Sequence, residues 1–347
     1  MRKMQLACKL FLFALLVSCG TDPVEVPQGA YENGVLIINE GAFGANDGEV
    51  HHFDKSTSEV ETNVFENVNN RPFAGLLQDL ISYEDYTYLV ANTGKLEVVQ
   101  SADFISVGAV SNDLVNSRSM VRADGKLYIS DWGPYDASWS NTESFVAVIE
   151  DITGGDVAYK IPTPSRPEGL AFIGDRILVA CQLGSIAVIE VGDDEVEKTI
   201  AVEGSPFFFF EYQASHYLYA NDSEKIYLHK LNSATFEVVE TYEFPVSNSI
   251  YNGNFTVSDS GELYVISNQA TEDVVVKLSL NSGSVVDENF YSGSNFYGLG
   301  FDDETQTLYI GEHNGWQGNG TVMRINAQGE LIDDVVVGRG PSGFYFP

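Results

Sequence analysis

The residues of this chain best suited to chemistry are a few aromatic, cationic and amide side chains at its turns. Trp132, Trp139 and Trp316 all lie in turn-rich stretches, not in β-rich runs. A tryptophan that packs a core normally sits within a strand. Tryptophans in loops suit a recognition surface, although a long loop also orders itself by burying its own ring. Phe43, Phe73, Tyr135, Tyr251 and Tyr297 sit in or beside similar stretches. Arg71, Arg118, Arg166 and Arg339 fall at comparable joints, where they could pair with a ligand anion or neutralise nearby carboxylates. Asn39, Asn92, Asp131, Gln182, Asn221, Asn268 and Glu312 each close a β-rich run. Amides dominate this group and suit a ligand rich in amides or hydroxyls. Asn and Asp also favour strand ends through local side-chain bonds, so part of the group serves the backbone alone.

Other chemistries are looked for without success. The run Gly338-Arg339-Gly340-Pro341-Ser342-Gly343 matches a dinucleotide fingerprint by letter, but no helical pattern follows it. There is no nucleophile elbow and no histidine pair at zinc spacing. Of the five histidines only His313 lies in a candidate loop. Glu40, Asn92 and Asn221 could serve a calcium-dependent lactonase, which remains an alternative beside a protein-interaction surface without a small ligand. No catalytic residue, metal site or cofactor is assigned, and the chain is expected not to be an enzyme.

The charge balance narrows the partners. Fifty Asp and Glu against 18 Lys and Arg give a formal net charge of −32 over 347 residues. Binding a phosphate backbone depends on Lys and Arg displacing counterions, so nucleic acid is excluded. Three cysteines cannot staple a chain of this length. Its 44% hydrophobic and 12% aromatic content is that of a packed protein.

The N-terminus reads as an address. Arg2 and Lys3 precede an apolar stretch at residues 10–17, too short to span a bilayer, which ends in Val17-Ser18-Cys19-Gly20. This resembles a bacterial lipobox, in which the cysteine becomes the lipidated mature N-terminus. Residues 1–18 are then a signal peptide and 19–33 a lipidated tether. Removing the signal strips Arg2, Lys3 and Lys9 and leaves the chain more acidic still. Cys181, within Ile177-Leu178-Val179-Ala180-Cys181, reads as a small core hydrophobe.

Residues 34–347 carry an internal repeat. A β-rich run with a polar end recurs at Ile37, Tyr88, Tyr128, Leu178, Tyr219, Tyr264 and Tyr309, with a mean spacing of about 45 residues. Further alternating runs surround each copy, and no sustained helical periodicity appears. Four strands per repeat predict an all-β, seven-bladed propeller. The first repeat lacks a preceding apolar strand, whereas the chain ends in the unattached run Gly343-Phe344-Tyr345-Phe346. The C-terminal strand is therefore expected to close blade one, leaving no open sheet edge. Long connections at residues 40–48, 66–75, 132–143, 245–253 and 312–320 then share one face. The candidate binding residues cluster there.

The repeated Leu-Tyr-Val/Ile strand resembles the YncE/YVTN type of propeller. The opening Gly34-Val35-Leu36-Ile37-Ile38-Asn39-Glu40-Gly41-Ala42-Phe43-Gly44 and the closing Gly340-Pro341-Ser342-Gly343-Phe344-Tyr345-Phe346 resemble the two ends of a lipoprotein propeller family of Bacteroidetes. That family includes surface lipoproteins of vitamin B12 uptake. The resemblance implies cobalamin capture for a TonB-dependent outer-membrane receptor. It also implies an outer-membrane lipoprotein, cell-surface or periplasmic, that is a monomer outside the transporter complex. The expected ligand-binding set is Phe43, Arg71, Phe73, Asn92, Arg118, Asp131, Trp132, Tyr135, Trp139, Arg166, Asn221, Tyr251, Asn268, Tyr297, His313 and Trp316.

Overall fold

A computed structural model describes residues 29–249 and 254–347. The signal segment, Cys19 and Tyr251 lie outside the described residues. The described chain forms seven four-stranded antiparallel sheets arranged as propeller blades. In six of them the strands follow chain order from the innermost outward. Blade one instead begins with the C-terminal strand Pro341–Tyr345, which pairs with Val35–Asn39. The predicted closure is the one observed.

Burial along each blade explains the sequence pattern. The second strands, such as Leu127 to Asp131 within Lys126–Asp131, are buried on both faces because a neighbouring blade packs on each side. They therefore read as unbroken apolar runs. Outer strands such as Glu195–Ala201 alternate between solvent and core. Tyr88, Tyr128, Tyr219, Tyr264 and Tyr309 occupy equivalent second-strand positions and are fully buried. Each wedges a large ring between blades, and several find a hydroxyl partner. Tyr88 donates to the carbonyl of Ile152 at 3.0 Å, and Tyr128 to Asp194 at 2.9 Å. Burying the ring while satisfying its hydroxyl makes tyrosine a good spacer here.

Two local features depart from the plain repeat. A short helix, Val64–Asn69, follows the truncated outer strand of blade one. The stretch expected to be free tether is packed at its end. The Tyr31 ring sits 5.3 Å from that of Phe104 and its hydroxyl donates to Glu61 at 3.0 Å, so burial of one aromatic fixes the entering chain. Cys181 is fully buried, and burial pushes its thiol up to about 12.

Candidate functional site

The innermost strands do not pair regularly. Near their first residues the register skips Gln78 in blade two, Arg118 in blade three and Glu168-Gly169 in blade four. It likewise skips Phe207-Phe208 in blade five, Tyr297 in blade seven and Ser342 in blade one. A bulge leaves a residue outside the ladder and re-aims its side chain. Here Gln78, Arg118, Glu168, Phe207, Phe208, Tyr297 and Ser342 all line one cavity of 690 Å³ in the channel mouth. The strands approach closely enough to demand glycine beside one bulge: a Cβ on Gly298 would lie 2.6 Å from the carbonyl oxygen of Pro341.

The cavity has two unlike halves. On one side Arg118 is half-buried, its Nε donating to Glu168 at 3.1 Å, while Gln182 Nε2 donates to the same carboxylate at 2.8 Å. Two guanidinium groups approach the Trp132 ring, with Arg118 4.5 Å and Arg166 5.1 Å from its centroid. Arg166 is held in turn by Asn141, whose Oδ1 accepts from its Nε at 3.1 Å. Glu40 accepts from Gln78 Nε2 at 2.7 Å and from the Tyr297 hydroxyl. Asp79 accepts from the Ser119 hydroxyl at 2.6 Å and from the backbone N–H of Leu80. On the other side Phe207, Phe208 and Phe255 form an aromatic wall.

Burial dominates the electrostatics of this half. It raises Glu40 and Glu168 above the usual carboxylate range, although Tyr297 and Arg118 respectively pull the other way, and it pushes Asp79 up to about 6. Burial alone would lower Arg118, but Glu168 and Glu40 more than offset it. Glu168 thus has a cation of its own. Glu40 and Asp79 have only neutral donors in contact, with Arg118 acting on both at longer range. The site is rich in acceptors, and of its two cations Arg118 is paired with Glu168 while Arg166 makes no ion pair among the described residues.

The structure brings Arg118, Trp132, Tyr135, Arg166, Asn221 and Tyr297 of the expected residues to the cavity. His313 and Trp316 do not line it. Their rings stack 4.7 Å apart, and Trp316 backs Tyr297 at 4.9 Å. Trp139 stands on the rim, 77% exposed, 5.8 Å from Tyr135. Phe43, on the blade-one loop, is 97% exposed and is not among the cavity lining.

The remaining expectations are corrected. Phe73 is a core residue, buried against Phe65. Arg71 is spent on the buried carboxylate of Glu97, and Arg339 pairs with Asp47. Asp131 folds back onto the backbone, accepting from the N–H groups of Val115, Asn116 and Gly133 and from the Ser117 hydroxyl. Asn268 donates to Asp273 at an exposed strand end, and Asn92 is absent from the cavity lining. Of the lactonase set, only Glu40 and Asn221 reach the channel. Among the described residues no three His, Cys, Asp or Glu side chains gather as a metal would require.

Sequence reasoning missed Gln78, Asp79, Glu168, Phe207, Phe208, Asn254 and Phe255, and weighed Glu40 only as a metal ligand. One usable signal was present. The innermost strands of blades one, four and seven begin Pro341-Ser342-Gly343, Pro167-Glu168-Gly169 and Phe296-Tyr297-Gly298, with the channel residue in the middle each time.

Comparison with known proteins bears first on family and fold. Residues 33–347 match the family described as Domain of unknown function (DUF5074), and the chain belongs to that family. No curated protein sequence matches it. A functionally unknown protein from Desulfotomaculum acetoxidans DSM 771 is similar in structure, with a TM-score of 0.62 at 11% identity over 90% of this chain and 98% of that one. Hydrazine synthase of Kuenenia stuttgartiensis aligns with a TM-score of 0.57 at 16% identity, covering 75% of this chain and 85% of that one. The dihydro-heme d1 dehydrogenase NirN, in complex with DHE, gives 0.57 at 12% identity over 92% and 78%. At such identities the likeness is one of fold. It nonetheless corrects the expectation that the chain is not an enzyme, because two of these neighbours are enzymes by name and the fold accommodates catalysis.

Proposed function

We propose that this DUF5074 propeller captures a solute at its channel mouth, tethered to the outer membrane through a lipidated Cys19. The observation that carries the reading is the 690 Å³ cavity into which the bulged residues of six blades converge. A concave site with aromatic walls and a few placed polar groups is the usual form of a small-molecule pocket. The resemblance of the chain ends to the B12-uptake lipoproteins makes a corrinoid the first ligand to try and a TonB-dependent receptor the partner. Trp132, Tyr135 and Tyr297 offer ring faces for its macrocycle, while Gln78, Gln182 and Asn221 are the amides nearest its carboxamide arms. The exposed Phe43 and Trp139 stand free on the loops, available to a receptor.

Calorimetry of the mature chain with cyanocobalamin tests the ligand. Binding is expected at micromolar concentrations or below, and Trp132→Ala is expected to weaken it at least about tenfold. No heat and no tryptophan quenching at micromolar protein would remove the corrinoid assignment.

A further inference from the structure

Among the described residues three carboxylates line the channel mouth, and of these Glu168 alone has a cation in contact. Glu40 and Asp79 are half-buried, and among the described residues only neutral donors touch them: Gln78 and Tyr297 for the first, Ser119 and a backbone N–H for the second. A carboxylate withdrawn from water without a counter-charge is costly, and the cost falls when a cation reaches it. The opposite wall supplies Phe207, Phe208 and Phe255. Aromatic faces attract cations as well as apolar groups. We infer that the channel takes the protonated amino group of a ligand between Glu40 and Asp79, with the ligand's apolar part against the phenylalanine wall. The inference rests on the reading of the mouth as a binding site and is separate from the corrinoid assignment.

The chemistry disfavours the other classes. A carboxylate or phosphate would have Arg118 and Arg166 as its cations in the channel, but Arg118 is already bonded to Glu168 and Arg166 is held by Asn141 beside Trp132. Such an anion would also meet the two unpaired carboxylates. A metal ion lacks a ligand set, since the described residues bring no suitable trio together. A neutral hydrogen-bonding group could donate to the same oxygens but would leave both charges uncompensated. An ammonium group donates three hydrogen bonds and carries the missing charge.

Three probes with one apolar body separate these cases: 3-phenylpropylamine, 3-phenylpropanamide and 3-phenylpropanoate, each titrated into the mature chain by calorimetry. The amine is expected to bind, the amide about tenfold more weakly, and the carboxylate not at all over the same range. Glu40→Gln and Asp79→Asn are each expected to cost the amine about tenfold while leaving the amide nearly unchanged. Phe208→Ala is expected to weaken both. If either polar variant does not fold, the salt dependence of the wild-type affinities replaces it: added salt should weaken the amine and spare the amide. Carboxylate binding as tight as that of the amine overturns the inference and makes Arg118 or Arg166 the anchor. So does amine affinity indifferent to both substitutions and to salt. Failure of all three probes with cyanocobalamin still bound overturns the inference alone; failure of cyanocobalamin as well removes the capture reading with it.

Discussion

Acidic side chains withdrawn wholly or partly from solvent occur in two settings in this molecule, and the contrast separates scaffold from site. Asp131 in blade three and Glu49 in blade one are wrapped by their own chain. Asp131 accepts three backbone N–H groups and a hydroxyl, and Glu49 accepts from the N–H groups of Val50, Phe65 and Glu66. Each thereby pins a turn: Asp131 the strand end under Trp132, Glu49 the start of the short helix at Val64. Glu40 instead relies on side-chain donors, Asp79 on one side-chain and one backbone donor, and both open into the channel. A carboxylate that backbone donors saturate has little capacity for a ligand. One held by side chains can exchange a partner for something in the channel.

The largest break in this comparison is expected at Asp131. Asp131→Ala orphans three backbone N–H groups at once, and each unsatisfied buried donor costs about 1–3 kcal/mol. A loss of about 4 kcal/mol in urea denaturation is expected, with Asp131→Asn recovering part of it because one acceptor oxygen remains. A loss under about 1 kcal/mol would show that the turn does not depend on this carboxylate.

Glu49 sharpens the scaffold side through pH. Burial pushes it up to about 7, despite three backbone donors that pull it down. Because the folded value lies above the unfolded one, its contribution is full below pH 4.5 and is lost as pH rises through about 7, by about 3 kcal/mol. His51, two residues along the same strand, is lowered by burial to about 4. Its contribution runs the other way, full above pH 6.5 and lost as pH falls toward about 4. The two slopes oppose each other in the wild type. Glu49→Gln is expected to remove one of the falling slopes, so that unfolding free energy drops by about 3 kcal/mol less than in the wild type as pH rises from 4.5 through 7. A variant whose stability tracks the wild type at every pH would contradict this.

The fold was legible in the sequence because the repeat is carried by the second strands, whose burial on both faces leaves an unbroken apolar run. The site was legible only where it lies on loops or at strand ends, as with Trp132, Tyr135, Arg166 and Asn221. Glu168, Phe207 and Phe208 were hidden by the bulges, because alternation along a strand assigns faces and a skipped residue reverses the assignment. Arg118 and Tyr297 were expected at blade junctions beside these loops and stand at bulges near the start of their innermost strands. Asp131 and Asn221 close equivalent strands, yet one serves the backbone and the other lines the channel. Only the three-dimensional position of the neighbouring turn distinguishes them.

The smallest effect is expected on the channel side, and its sign is opposite. Burial holds Asp79 up to about 6, so the ionised carboxylate opposes folding above that pH. Folded above unfolded again means a contribution complete below about 3.8 and lost as pH rises through about 6. Asp79→Asn keeps an acceptor for the Leu80 N–H, and its amide can donate to the Ser119 hydroxyl in place of accepting from it. The substitution is therefore expected to stabilise the empty protein at pH 8 by about 2 kcal/mol and to have almost no effect at pH 4. Destabilisation at pH 8 comparable to that of Asp131→Ala would place Asp79 among the scaffold carboxylates. A gain in stability with no loss of amine affinity would leave its charge without a ligand to serve. Only a gain in stability together with a loss of affinity identifies an uncompensated carboxylate that the fold retains for binding.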